Sequence, residues 1–467
     1  MNYTDQQQYF KNSRIQAALW AAALAAAAMM TVRLAGAQPR YAVVIFGLAI
    51  TALIASLFYT PDYLHLTVLP EKPRRWQVKI RWRILGASLV LTLFCVFSLR
   101  EALMIAVVVV WLLAANFLAR MLAPPVSPWL YFWLTDFAML AIILTLAKPP
   151  LLLAVVLLLG TAHLSLVICR KYCWLWALAV TASSMALLTL SFKQRADSHA
   201  IFAAAGTLAM VAAATAWLVR RAQSRSEKNI ATAMRELANF TGYTEEKIRD
   251  LWLTSNQQLA KNWEQASPAE DNAGQMAEWY RQNSELYMFA ISAYNLEYRR
   301  IRSNLGVLRY ARGSVLDYGA GNGELLLDLA RRGHAVTYYD VEGTSMAFAR
   351  WRAQQRGLTL EITRSKDELA AAARKQGLDT VYSFDVLEHL PDLPGELSFL
   401  SSLLVPGGRM MFDVPAGSTK AHPMHLNHDL DVKAYLTEKG MTEERSWWQK
   451  LLPGKQEKFI FHLRTRV

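Results

Sequence analysis

Only three cysteines, Cys95, Cys169 and Cys173, occur in 467 residues. All lie in or beside apolar runs, which reads as inert thiols rather than a disulfide framework or a metal set. Charge is scarce as well, with Asp, Glu, Lys and Arg at 19% against 54% apolar residues. That balance excludes a disordered chain. Acidic residues are nearly missing from one half: residues 1–221 hold 19 Lys and Arg but 6 Asp and Glu, whereas residues 222–467 hold 31 of each sign. The whole net charge of +13 therefore lies in the apolar half. The neutral half lacks the basic excess that a nucleic-acid partner calls for.

The apolar half is a series of eight runs, about 15–35, 41–59, 84–99, 102–118, 129–147, 150–168, 173–192 and 200–219. A bilayer core takes about 20 helical residues, so residues 1–221 are expected to form an all-α transmembrane bundle. With the N-terminus placed in the cytoplasm, inner segments carry 15 Lys and Arg and outer loops 6. This is the asymmetry of the positive-inside rule. An even number of spans puts the C-terminal half in the cytoplasm too. Compact loops without a targeting segment make a bacterial inner membrane the expected location, and the bilayer an expected partner. Asp136 in the fifth run has two readings, an intramembrane functional acid or a residue near the membrane surface.

Residues 222–302 turn polar and read as a helical connector, with helices over 227–239, 244–264 and 273–303. Thr244 followed by two glutamates has the form of an N-cap. From 313 onward the period changes. Short β-rich runs at 314–318, 335–339, 358–363, 380–384 and 408–414 alternate with helical stretches, and 442–447 and 458–466 close the series. Alternation of this type predicts an α/β domain over 303–467 with a mostly parallel, seven-stranded sheet covered by helices.

The sharpest motif is Val315-Leu-Asp-Tyr-Gly-Ala-Gly-Asn-Gly323. An apolar strand runs into Asp317, then Gly319, Gly321 and Gly323, then a helix. Glycines there let the backbone turn tightly and approach a ligand. Asp340 ends the second strand 17 residues after Gly323, where an acid accepts hydrogen bonds from ribose hydroxyls. Asp385 ends the fourth strand in Phe384-Asp-Val-Leu-Glu-His-Leu-Pro391, and Leu404-Val-Pro-Gly-Gly408 turns into the fifth. This ordered set resembles the class I S-adenosylmethionine-dependent methyltransferases over about 310–467. The alternating glycines differ from the diphosphate-binding loop of nicotinamide domains. The resemblance implies a Rossmann-like fold and S-adenosylmethionine as cofactor. Asp317, Gly319, Ala320, Gly321, Asn322 and Gly323 would surround its methionine part, Asp340 and Val341 would bind its ribose, and Asp385 would stand at the strand mouth beside its sulfonium. The stretch 365–367 would lie by the adenine. Tyr280 and Tyr287 have two readings, a cover over this pocket or core packing.

Glu388 and His389 are the expected catalytic pair. His389 takes a proton from a hydroxyl acceptor as the methyl arrives, or else organises its loop. The segment is also similar to the Glu-x-x-Glu-His of the small-RNA 2′-O-methyltransferases and of some ubiquinone-pathway O-methyltransferases, with Asp385 in place of the first Glu. The site is expected to hold no metal. The alternative is a divalent ion on Asp385, Glu388, His389 and His425, the last drawn from the cluster His422, His425, His428 and Asp429. Eight spans exceed what an anchor needs. The expected activity is therefore methyl transfer to an amphiphilic acceptor (a lipid, lipid-linked sugar or quinone-like compound) at the cytoplasmic membrane face. Two alternatives stand beside it. One is methylation of a soluble metabolite or protein by a domain tethered to a transporter or sensor. The other is a cofactor-binding regulatory module.

Overall fold

The computed structural model describes residues 227–296 apart from Glu270, 307–413, 417–419, 422–444 and 459–463, with a few isolated positions between 181 and 224. Apart from those isolated positions, the eight expected spans lie outside the described residues. Among the described residues no helix is long and apolar enough to cross a membrane. The elements from Asn229 onward belong to one compact unit.

Four helices lead into the sheet. Residues 227–241 are helical (α1) and bury Ile230, Met234 and Leu237, a single stripe at helical spacing. Next comes α2, Glu245–Ala266, where the Thr244 side chain accepts a hydrogen bond from the Lys247 N–H at 3.3 Å. The expected single helix 273–303 is instead two, α3 (Ala273–Gln282) and α4 (Ser284–Asn295), and residues 297–303 lie outside the described residues. The break falls at Asn283. Its side-chain amide donates to the Trp279 carbonyl at 2.8 Å and its Oδ1 accepts from Asn262 at 2.7 Å. A side chain here competes with the backbone ladder.

The α/β part runs β1 (Ser314–Tyr318), α5 (Glu324–Arg331), β2 (Ala335–Tyr339), α6 (Thr344–Gln355), β3 (Glu361–Thr363), α7 (Lys366–Gln376), β4 (Leu378–Ser383), α8 (Leu393–Ser402), β5 (Leu404–Phe412), α9 (Val432–Glu438), β6 (Met441–Glu443) and β7 (Phe459–Leu463). The sheet order is β3-β2-β1-β4-β5-β7-β6. Strands β1 to β5 pair in parallel, and β7 is antiparallel to both of its neighbours. The expected mostly parallel sheet is therefore present. All five residues of β1 are buried, as befits a strand covered on both faces. Leu316, Val381, Met410 and Phe412 pack with Leu369, Leu397 and Leu400 of the covering helices, each such burial stabilising by about 1.5–3 kcal/mol.

The largest shifts in strand starts are at β3 and β5. Strand β3 begins at Glu361 rather than at 358. Gly357, at φ 61°, turns the chain out of α6, and the Leu358 N–H returns to the Ala353 carbonyl at 3.0 Å. Strand β5 already pairs at Leu404, and its register with β4 shifts before Arg409. The expected Pro-Gly turn is thus a bulge within the strand. The strand order reverses between β1 and β4. Chain connections diverge there and open a crevice at the C-terminal ends of those strands.

Candidate active site

The chain leaves β1 through Gly319, Ala320, Gly321, Asn322 and Gly323. The three glycines have φ values of 78°, 53° and 71°, a region that residues with a Cβ resist. A Cβ on Gly319 would lie 2.2 Å from Val386 Cγ2, and one on Gly321 3.0 Å from Ile291 Cδ1. The loop therefore threads closely between the turn after β4 and helix α4. Asp340, just past β2, accepts from the Gly321 N–H at 2.5 Å through Oδ2 and from the Val341 N–H at 2.7 Å through Oδ1. Burial pushes its carboxyl up to about 6, against the pull of those two donors. Asp317 is buried at the end of β1.

Across the crevice, Asp385 follows β4 with a left-handed φ of 57°, and its N–H donates to Asp413 Oδ1 at 2.7 Å. A 3-10 turn, Leu387–His389, comes next. Glu388 is almost fully buried, with Oε1 3.9 Å from His389 Nε2. Its carbonyl accepts from the Leu426 N–H at 2.7 Å. That bond draws in the loop after β5 and sets the His425 ring 4.7 Å from that of His389. Ligand atoms of Glu388, His389 and His425 all lie within 4.8 Å of one another.

The connector closes the other side. Tyr280 of α3 brings its hydroxyl 2.7 Å from His389 Nδ1, and the Met424 carbonyl is 3.3 Å from the same nitrogen. A carbonyl only accepts, so a proton on Nδ1 serves both contacts and leaves the lone pair on Nε2. Burial and the adjacent His425 hold His389 down at about 3, opposed by the Met424 carbonyl. The ring is therefore neutral near pH 7. Burial pushes the Tyr280 hydroxyl well above its ordinary value, and Tyr287, Glu388 and Asp340 add to the rise.

Residues 291–454 match the protein family described as "Methyltransferase domain". This segment is an S-adenosylmethionine-dependent methyltransferase domain. The domain is similar to the ubiquinone biosynthesis O-methyltransferase of Nitrosococcus oceani, with 29% identity over 145 residues, 31% of this chain and 59% of that protein. The same-named protein of Azotobacter vinelandii is 33% identical over 115 residues, 25% of this chain and 50% of its own. The chain thus spans about half the length of the curated relatives it matches. An O-methyltransferase family protein from Burkholderia thailandensis aligns over 47% of this chain and 72% of its own at 16% identity. Its TM-score of 0.36 gives that likeness no weight.

The residues of the methyltransferase domain suit its cofactor. A glycine cradle that added methyl groups would fill lies beside a carboxylate whose two oxygens each keep a second lone pair for a ribose hydroxyl. Asn322 Oδ1 is buried and has no hydrogen-bond partner among the described residues. The structure groups Asp317, the glycine loop, Asp340 and Val341 at one lip of the crevice and Glu388, His389 and His425 at the other.

One part of the metal alternative needs correction. Asp385 does not join the cluster of Glu388, His389 and His425. Its left-handed backbone precedes the 3-10 turn instead of belonging to it. His422 stacks on His425 at 5.1 Å. Tyr287 packs into the apolar cluster with Trp279 and Met424, while Tyr280 also reaches His389. Sequence reasoning missed that contact. It also missed Arg352, buried on α6 and donating to the Asn322 carbonyl at 2.8 Å. No local signal marks an arginine within Ala-Arg-Trp-Arg as part of a site.

Proposed function

We propose that this chain transfers a methyl group from S-adenosylmethionine to a hydroxyl oxygen of an amphiphilic, quinone-like acceptor at the cytoplasmic face of a membrane. The observation that carries the reading is the place of Tyr280. Its hydroxyl lies 2.7 Å from His389, and the charges of Glu388 and Asp340 add to the rise that burial imposes on it, which supports reading the ribose-side carboxylate and the acceptor-side cluster as parts of one site. The acceptor class rests on the eight apolar runs of the sequence and on the relatives' name, ubiquinone biosynthesis O-methyltransferase.

The sulfonium supplies an electrophilic methyl group, and its departure leaves a neutral thioether. In this reading Asp317 and the 319–323 loop hold the methionine part. Asp340, ionised above about pH 6, accepts the ribose hydroxyls, with Val341 beside it and Asp385 at the edge. His389 Nε2 accepts the hydrogen bond of the acceptor hydroxyl and so aims an oxygen lone pair at the methyl carbon. The oxygen–carbon bond forms as the sulfur–carbon bond breaks. The proton on the methylated oxygen is then strongly acidic and passes to His389, so a weakly basic imidazole suffices. Tyr280 fixes the ring and Glu388 faces its Nε2 edge. Positioning does most of the work in such a displacement.

The convergence of Glu388, His389 and His425 supports a second reading of the cluster. Mixed nitrogen and oxygen donors suit a divalent cation. Such an ion would be held by those three residues and would lower the pKa of the acceptor hydroxyl.

The test uses membranes containing the full-length protein and methyl-labelled S-adenosylmethionine. Label is expected in the lipid extract and is expected to vanish with Asp317→Ala. Label confined to the aqueous phase or the protein pellet would refute the amphiphilic acceptor and favour a soluble metabolite or a protein. Cofactor binding without any label would favour a regulatory module. Activity that survives exhaustive chelation leaves proton acceptance to His389 alone. Loss restored by magnesium or manganese assigns the cation.

A further inference from the structure

Arg352 on α6 is buried, with its side chain 2% exposed. It engages three partners. Its Nε donates to Glu236 Oε2 at 3.0 Å, one terminal nitrogen to the Asn322 carbonyl at 2.8 Å, and the other to Glu324 Oε2 at 2.6 Å. Asn322 stands in the middle of the glycine loop, and Glu324 opens the helix that follows it. Glu236 is on α1, outside the 291–454 methyltransferase match, and the same carboxylate also pairs with Arg356. Phe240, one turn further along α1, packs on Phe348 and Trp351 of α6 with ring centroids 5.1 and 5.8 Å away.

We propose that Glu236 is a positioning residue for the cofactor loop, acting through Arg352, and that α1 thereby sets the affinity of the methyltransferase domain for S-adenosylmethionine. The inference rests on the reading of the glycine loop as the cofactor site. A buried guanidinium keeps its place only while its charge is balanced and its donors are used. Glu324 and Asn322 fix one side of Arg352, Asn322 from the loop and Glu324 from the start of the helix after it. Glu236 is the anchor that comes from elsewhere. Without its charge, Arg352 swings toward Glu324 and the hydrogen bond to the Asn322 carbonyl is lost or bent. Helix α1 directly follows the last apolar run in the sequence. Glu236 thus gives α1 a charged link to the cofactor loop, beside the apolar packing of Phe240 on α6.

The experiment measures binding of S-adenosylhomocysteine to the full-length chain by calorimetry, alongside thermal unfolding and the KM for each substrate. Glu236→Gln is expected to weaken binding about fivefold or more, the scale of residues that couple to a site without touching it. The KM for S-adenosylmethionine rises in step, and the KM for the acceptor stays put. Glu236→Asp, which keeps the charge at shorter reach, recovers part of the loss. Phe240→Leu loosens the same packing without touching the charges. It is expected to lower the melting temperature and leave binding at the wild-type level. Wild-type binding with an unchanged Glu236→Gln overturns the relay alone, and so does an equal loss in Phe240→Leu. A wild-type chain that does not bind at all overturns the cofactor reading and the relay with it. If Glu236→Gln folds poorly, the comparison of Glu236→Asp with Phe240→Leu decides the question by itself.

Discussion

Adding one methyl group to the glycine loop, as Gly319→Ala, separates two kinds of strain. Alanine at φ 78° costs about 1–2 kcal/mol in the left-handed region. The new Cβ would also sit 2.2 Å from Val386 Cγ2, far inside the ordinary carbon contact of about 3.5–4.0 Å. Forcing a methyl group into a packed site costs about 1–3 kcal/mol. The total is about 2–5 kcal/mol. Relief comes most easily by shifting the loop, so the loss appears in cofactor affinity, about 30-fold or more at 1.4 kcal/mol per decade. Calorimetric titration with S-adenosylhomocysteine reads it, with circular dichroism to confirm that the chain is folded. Val386→Ala removes both Cγ atoms and leaves the Val386 Cβ at 3.1 Å. The double variant should therefore recover about tenfold, keeping the conformational part and a small residual contact with the Val386 Cβ. A double variant that binds no better than Gly319→Ala, or a Gly319→Ala that binds like wild type, refutes this account of the loop.

Other expectations follow from the same geometry. Asp340 must be ionised to accept two hydroxyls, and its carboxyl is raised from 3.8 to about 6. Cofactor affinity should fall as pH drops through about 6, whereas Asp340→Asn should bind weakly with no pH dependence there. For stability the sign is opposite, because a raised carboxyl contributes most while protonated. Its contribution is complete below the unfolded value and is lost as pH rises through about 6. Comparing wild-type and Asp340→Asn melting curves from pH 4 to 8 measures it. Tyr280→Phe removes the 2.7 Å contact to His389 and should lower kcat by up to about tenfold, the scale of one hydrogen bond, with unchanged affinity for S-adenosylhomocysteine. An equal fall in that affinity would assign Tyr280 to the cofactor instead. Met410→Ala, at a fully buried position of β5, should destabilise by about 2–5 kcal/mol in chemical denaturation.

The order of strands and helices after residue 313 was legible because its signals are local. Period-2 and period-3.6 patterns, glycines and caps act within a few residues. The cofactor loop was legible for the same reason, since Asp317, the three glycines and Asp340 lie on consecutive strand ends. The break at Asn283 was not. Apolar residues continue at helical spacing across it, and the side chain that bonds Asn283 belongs to Asn262, 21 residues away.

By itself, the sequence determined the α/β class, the parallel run of strands and the candidate cofactor acids. It also placed Glu388 and His389 after the fourth strand. Tertiary structure decided which of those groups meet. Tyr280 and His389 are 109 positions apart, and Arg352 and Glu236 are 116 apart. Such contacts depend on where whole helices pack against the sheet and how far each side chain then reaches. Packing, and not sequence spacing, put His425 beside His389, left Asp385 out of that cluster, and tied the cofactor loop to helix α1.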